Sequence, residues 1–88
     1  MLEKIIVIKN KLGLHARPAA MFVQTTGKFK SSVKIIKDGQ EVDGKSIMGL
    51  MMLAAGLGTE LKLLINGPDE NELFAAIEQV IEAKFDEE

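Results

Sequence analysis

The sequence predicts an α+β domain, a sandwich of one four-stranded antiparallel sheet and three helices covering one of its faces. Three observations lead there. Segments of alternating hydrophobicity and segments of helical periodicity succeed one another in the order β-α-β-β-α-β-α. Asp38-Gly39 lies between two short β-prone runs, a strong signal for a tight hairpin and so for antiparallel pairing. Leu61, Leu63 and Ile65 alternate with Glu60, Lys62 and Leu64, the pattern of a half-buried strand. Pattern alone leaves the strand order open, and a ferredoxin-like βαββαβ unit with an added helix is the rival arrangement.

Each element has its own justification. Glu3 to Lys9 is rich in β-branched residues and reads as the first strand. Asn10 to Leu14, with Gly13, is a loop. Ala16 to Thr26 fits a helix, with Ala19, Phe22, Val23 and Thr26 on one face. Pro18 is tolerated only in a first turn, so this helix begins close to His15 or Ala16, and Gly27 is its expected C-terminal cap. Ser32 to Lys37 and Gln40 to Asp43 form the hairpin. Ser46 is a good N-cap for a helix over about Ile47 to Ala54, stopped by Gly56 and Gly58, with Ile47, Leu50, Met51 and Ala54 at helical spacing. Glu60 to Ile65 is the last strand, and Asn66-Gly67-Pro68 a turn. Asp69 followed by Glu72 is an acidic capping signature. The final helix runs to about Phe85 on a stripe of Leu73, Phe74, Ile77, Val80, Ile81 and Lys84, and leaves Asp86-Glu87-Glu88 as a solvated tail.

Composition bounds the function. The 88 residues are 47% hydrophobic and suit one domain over 1–88, since two cores would each be too small to stabilise. Eleven Lys and Arg against thirteen Asp and Glu give a formal charge of −2, with no basic block, Tyr or Trp. That argues against nucleic-acid binding, which draws on Lys and Arg to displace counterions. With no cysteine, disulfides, thiolate metal sites and cysteine nucleophiles are excluded, and the cytoplasm is the expected compartment. The longest uncharged apolar stretch, Ile47 to Gly58, falls well short of the ~20 residues that span a bilayer, so no membrane partner is expected. The first nine residues hold only the apolar run Ile5 to Ile8, too little for a signal peptide.

The chemistry concentrates at His15, the only histidine, in Gly13-Leu14-His15-Ala16-Arg17-Pro18-Ala19-Ala20. A lone histidine is most often a polar loop residue, but this one stands at the mouth of a helix. Unpaired N–H groups and the positive end of the dipole stabilise an anion there. The amides of Ala16 and Arg17 can contribute; Pro18 has none. The Arg17 guanidinium can fork onto phosphate oxygens, and a neutral imidazole is a good nucleophile. A histidine that accepts a phosphoryl group and holds it at a helix N-terminus is what this physics suggests. No metal site is expected, with no second His or Cys and no carboxylate nearby in sequence. Ser46 is the second candidate: beyond capping, a phosphate on its hydroxyl would again meet a helix N-terminus and alter the surface charge. The helix that follows is too short to bury Ile47, Met48, Met51 and Met52 together. A flexible Met-rich patch suits a surface that accepts several partners.

These two stretches, Gly13 to Ala20 and Lys45-Ser46-Ile47-Met48-Gly49-Leu50-Met51, resemble the HPr family, the histidine-containing phosphocarriers of the bacterial sugar phosphotransferase system. The resemblance covers essentially the whole chain. It implies an open-faced β-sandwich and a carrier rather than an enzyme, needing no cofactor. It implies that His15 is phosphorylated on Nδ1 by phospho-enzyme I and passes the group to the IIA domain of a sugar permease. Arg17 would sit at the phosphohistidine. Ile47, Met48 and Met51 would form the docking surface with Ala16 and Ala20. Ser46 would be a regulatory site, modified by an HPr kinase/phosphorylase and read by a catabolite-control transcription regulator. A monomer is the default. One departure is Leu12, where many members carry Asn, Ser or Thr. A leucine cannot hydrogen-bond a phosphate, so backbone amides and Arg17 carry more of the holding. Leu12 also points to the alternative, a nitrogen-related or regulatory paralogue signalling through the same histidine and serine.

Overall fold

Burying the apolar faces of alternating strands requires a second layer, and the helices supply it. The computed structural model describes residues 1–87. Its strands are β1 (Leu2–Val7), β2 (Ser32–Lys37), β3 (Gln40–Asp43) and β4 (Glu60–Asn66). Its helices are α1 (Ala16–Thr26), α2 (Ile47–Met52) and α3 (Glu70–Glu82), followed by a 3-10 turn, Lys84–Asp86. The strands form one sheet in the order β1-β4-β2-β3, every neighbouring pair antiparallel. This is the open-faced α+β sandwich; its strand order, with β4 and β2 at the centre and β1 and β3 at the edges, separates it from the ferredoxin-like rival, whose centre is β1 and β3.

The register explains the single core. Ile6 faces Leu61, and Leu63 and Ile65 of β4 face Ile35 and Val33 of β2. All of these side chains are buried, as are Phe22 of α1, Leu50 of α2, and Leu73, Ile77 and Ile81 of α3. The other face of the sheet carries Glu3, Ile5, Lys34 and Lys62, all exposed. The hairpin turns where expected: Asp38 and Gly39 have φ of 50° and 81°, as two central residues of a mirror-image turn require.

Two expected boundaries are corrected by the backbone. β1 is Leu2–Val7 rather than Glu3 to Lys9, although Ile8 still bonds Thr59 through its N–H. Gly27 caps α1 as expected, and at φ −66° it does so without the left-handed freedom that makes glycine a common cap. α2 ends at Met52, two residues before Ala54 and well before the glycines. Ala54 turns left-handed at φ 51°, which lets both Leu53 and Ala55 bury, and Lys37 Nζ donates to the Leu53 carbonyl at 2.9 Å. Within α2 only Leu50 is buried; Ile47 and Met51, which share its helical spacing, are exposed, as a helix too short to bury them all would leave them.

The C-terminal segment departs further. α3 stops at Glu82, and Lys84, Phe85 and Asp86 have φ of 53°, 54° and 58°, reversing the chain. Phe85 is fully buried by that reversal. Asp69 occupies the N-cap position of α3 without a side-chain cap bond. Its carboxylate instead accepts from the backbone N–H of Lys30 at 3.0 Å, from that of Ser31 at 2.9 Å, and from the Ser31 hydroxyl. Those bonds tie the start of α3 to the entrance of β2. They hold the Asp69 carboxyl at about 2, below its ordinary 3.8, the Ser31 hydroxyl first among the causes.

Candidate functional site

His15 is placed by the loop before it. Gly13 has φ 72°, and a Cβ there would lie 2.2 Å from the Ala55 carbonyl oxygen, so only glycine fits. Leu14 is buried and its N–H donates to that same carbonyl at 2.8 Å. The next residue is thereby pinned at the start of α1. His15 is the N-cap, with extended φ −80° and ψ −172°, and its carbonyl accepts from the Ala19 N–H at 2.9 Å. Its side chain makes no capping bond, so the ring is left to other work. The His15 side chain is 39% exposed.

The surroundings are what a phosphoryl group needs. Ala16 and Arg17 occupy the first turn of α1, where amide groups lack intrahelical acceptors. Both residues are exposed. Arg17 shares a surface hollow with Lys11, Leu12, Asp86 and Glu87. On the other side of Leu12, a second hollow is lined by His15, Leu14, Met51 and Ala54 to Gly56. Leu12 is therefore an exposed apolar ridge between a charged hollow and an apolar one. Among the described residues no group of three or more His, Cys, Asp or Glu could hold a metal ion. Among the same residues no helix is long and apolar enough to cross a membrane.

The fold brings the two sequence motifs to one side of the molecule, since α1 packs against α2 and Met51 shares a hollow with His15. Ile47, Met48 and Met51 are exposed on α2, Met48 at 76%. Ala20 is half-buried one turn beyond His15. Ser46 caps α2 as expected, its Oγ accepting from the Gly49 N–H at 3.0 Å.

Two residues of the site had no sequence signal. His15 Nε2 lies 2.7 Å from Glu87 Oε2, across 72 residues of chain. Glu87 Oε1 accepts from Asn10 Nδ2 at 2.9 Å. Of the tail expected to be solvated, Asp86 is exposed, but the Glu87 side chain lies against the histidine and is only 13% exposed. The Asn10 amide holds the Glu87 carboxyl below the usual carboxylate range, helped by His15 and Arg17. No carboxylate lies near His15 along the sequence, but the fold brings one to it from 72 residues away. Glu88, the last residue of the expected tail, lies outside the described residues.

Comparison with known proteins is consistent with this geometry. The family model described as PTS HPr component phosphorylation site matches residues 2–83. The phosphocarrier protein HPr of Treponema pallidum (strain Nichols) is 46% identical over 88 residues, covering 100% of both chains. The HPr-like protein Crh of Bacillus subtilis (strain 168) is 50% identical over 72 residues, covering 82% of this chain and 85% of its own. The crystal structure of HPr-C-His from Thermoanaerobacter tengcongensis superimposes with a TM-score of 0.95 at 52% identity, covering 100% of this chain and 99% of that one. HPr from that organism has also been solved as a dimer, to which the TM-score is 0.77 at 52% identity, covering 97% and 98%.

Proposed function

The chain belongs to the HPr family of phosphocarrier proteins, and from that premise we propose that it carries a phosphoryl group on His15 as a single domain. The observation that carries this reading is the placement of a partly exposed imidazole at the N-terminus of α1, next to Arg17. His15 is the nucleophile. The amides of Ala16 and Arg17 and the Arg17 guanidinium hold the phosphate oxygens. The group arrives from phospho-enzyme I and leaves to the IIA domain of a sugar permease. The protein is thus a stoichiometric co-substrate of two phosphotransferases in the cytoplasm. Positioning for in-line transfer comes from the docked partner. Ala16, Ala20, Ile47, Met48 and Met51 make the docking surface, and the exposure of all but the half-buried Ala20 around one site supports it.

Ser46 is proposed as a regulatory phosphorylation site for a serine kinase of the HPr kinase/phosphorylase type. A phosphate there would add negative charge beside Ile47 and Met48, altering which partners dock, a catabolite-control transcription regulator among them. A second reading, a regulatory paralogue signalling through the same His15 and Ser46, is favoured by the exposed Leu12 and by the likeness to Crh.

The test is intact-mass analysis after incubation with enzyme I and phosphoenolpyruvate. The wild type is expected to gain one acid-labile phosphoryl group and His15→Ala none. Transfer retained by that variant would refute the mechanism. Arg17→Lys is expected to slow transfer while leaving the fold intact, because a point charge replaces a planar fork.

A further inference from the structure

The chain has five methionines, and three of them stand together on α2. Met51 and Met52 follow Met48 by three and four residues, which brings the three side chains to one side of the helix. Leu50 holds the opposite side and is fully buried. Met48, Met51 and Met52 are 76%, 45% and 66% exposed. Met21, by contrast, is half-buried against the core. Met1 is exposed but lies elsewhere, its amino group paired with Glu70 at the start of α3. The patch carries no charge of its own, since no Asp, Glu, Lys or Arg occurs from Ile47 to Thr59. The ammonium of Lys45, next to Ser46, is turned to the Phe29 carbonyl at 2.9 Å. A partner that docks here meets thioethers and alkyl groups in place of charge.

We propose that Met48, Met51 and Met52 form a redox-modification site. A peroxide converts their thioethers to sulfoxides, and the oxidised protein keeps its fold but docks weakly on enzyme I; this rests on the docking surface proposed above. In the step, a sulfur lone pair attacks one peroxide oxygen. The S–O bond forms as the O–O bond breaks, and the second oxygen leaves as water with both protons. The sulfur loses two electrons and the peroxide gains them. A dithiol reductase reverses the change: the sulfoxide oxygen leaves as water and the two thiols end as a disulfide. Location decides the effect. The one buried residue of α2 is Leu50, so the oxygens arrive outside the core and packing is spared. Each sulfoxide is a strong acceptor, and an apolar partner surface offers it no donor. Burying it there costs what an unpaired polar group costs. Met51 shares its hollow with His15, so the change in polarity reaches the edge of the phosphoryl site.

The test treats the full-length protein with graded hydrogen peroxide and maps the oxygen by tryptic digestion. Cleavage after Lys45 and Lys62 isolates residues 46–62, which hold Met48, Met51 and Met52 and no other methionine. That fragment is expected to gain oxygen at doses that leave Met21 unmodified. The dissociation constant for enzyme I is then titrated without phosphoenolpyruvate, so that it does not depend on transfer. It is expected to rise about tenfold, the scale of one buried polar group left unpaired. Circular dichroism should be unchanged, and methionine sulfoxide reductases should restore binding. The triple variant Met48→Leu, Met51→Leu, Met52→Leu keeps apolar volume and has no sulfur there to oxidise. Whatever its own dissociation constant, peroxide should not move it. A peroxide effect that persists in this variant, oxygen that enters Met21 first, or binding unmoved by full oxidation of 46–62 overturns the proposal. Met48→Gln and Met51→Gln separate that last outcome from a failure of the docking reading. If they weaken binding and the sulfoxides do not, the docking surface stands and the redox site falls. If neither weakens it, the docking surface is itself refuted, and the redox site with it.

Discussion

At the scale of single residues, short-range and long-range polar contacts part company. Ser46 caps the helix that follows it, because a cap reaches only three residues along the chain. Asp69 carries the same local signature, yet its carboxylate goes to Lys30 and Ser31, at sequence separations of 39 and 38 residues. The consequence is a pH dependence with a definite sign. The folded carboxyl titrates at about 2 rather than 3.8. The stabilisation is therefore complete above about pH 4 and is lost as the pH falls towards 2. Chemical denaturation across that window should show Asp69→Asn losing less stability on acidification than wild type, while being the less stable protein at neutral pH. Parallel curves would show that the three bonds do not discriminate the ionised form. Glu87 was illegible for the same reason as the partners of Asp69. The places of His15, Arg17 and Ser46 at helix starts could be read because helix starts are written locally; the carboxylate that meets the histidine is brought there only by the whole fold.

At the scale of elements, the hairpin, the last strand and α1 were legible, whereas the C-terminal ends of α2 and α3 were not. Alternation in β4 and the Asp38-Gly39 turn state their geometry directly. α2 stops at Met52, and the chain after α3 reverses, through left-handed Ala54, Lys84, Phe85 and Asp86. None is glycine or asparagine, and only Asp86 is of a type that visits that region readily. Tertiary burial of Leu53, Ala55 and Phe85 imposes those turns, and no local rule anticipates it. The short helix also divides its labour cleanly. Leu50 is its one buried residue, whereas Met48 and Met51 face solvent. Leu50→Ala should cost about 2–5 kcal/mol in urea unfolding, the range for a truncated core leucine. Met48→Gln and Met51→Gln should each stay within about 0.5 kcal/mol of wild type. The same two variants should raise the KM of enzyme I for this protein, and an unchanged KM would remove them from the docking surface.

At the scale of the whole molecule, the site is a composite of both ends of the chain. Asn10 and His15 come from the segment between β1 and α1, while Glu87 follows α3. The class of fold was readable because a one-sided sheet and amphipathic helices have few ways to share a core. The strand order was not, since every strand has the same alternating texture and nothing in a strand names its neighbour.

That order, β1-β4-β2-β3, has a bearing on how the protein comes into being. The strand at the centre of the ladder, flanked by both β1 and β2, is the last of the four to be synthesised. Leu2 pairs with Ile65, so the first strand off the ribosome must wait for nearly the entire polypeptide before it meets its neighbour. Until then its β-branched residues have no sheet to join, and the β2–β3 hairpin alone is marginal. A nascent fragment ending at residue 59 should give the circular dichroism of a disordered chain, and native signal should return only when a peptide carrying 60–88 is added. Sheet formation therefore waits on β4, and pairings this distant in sequence close slowly.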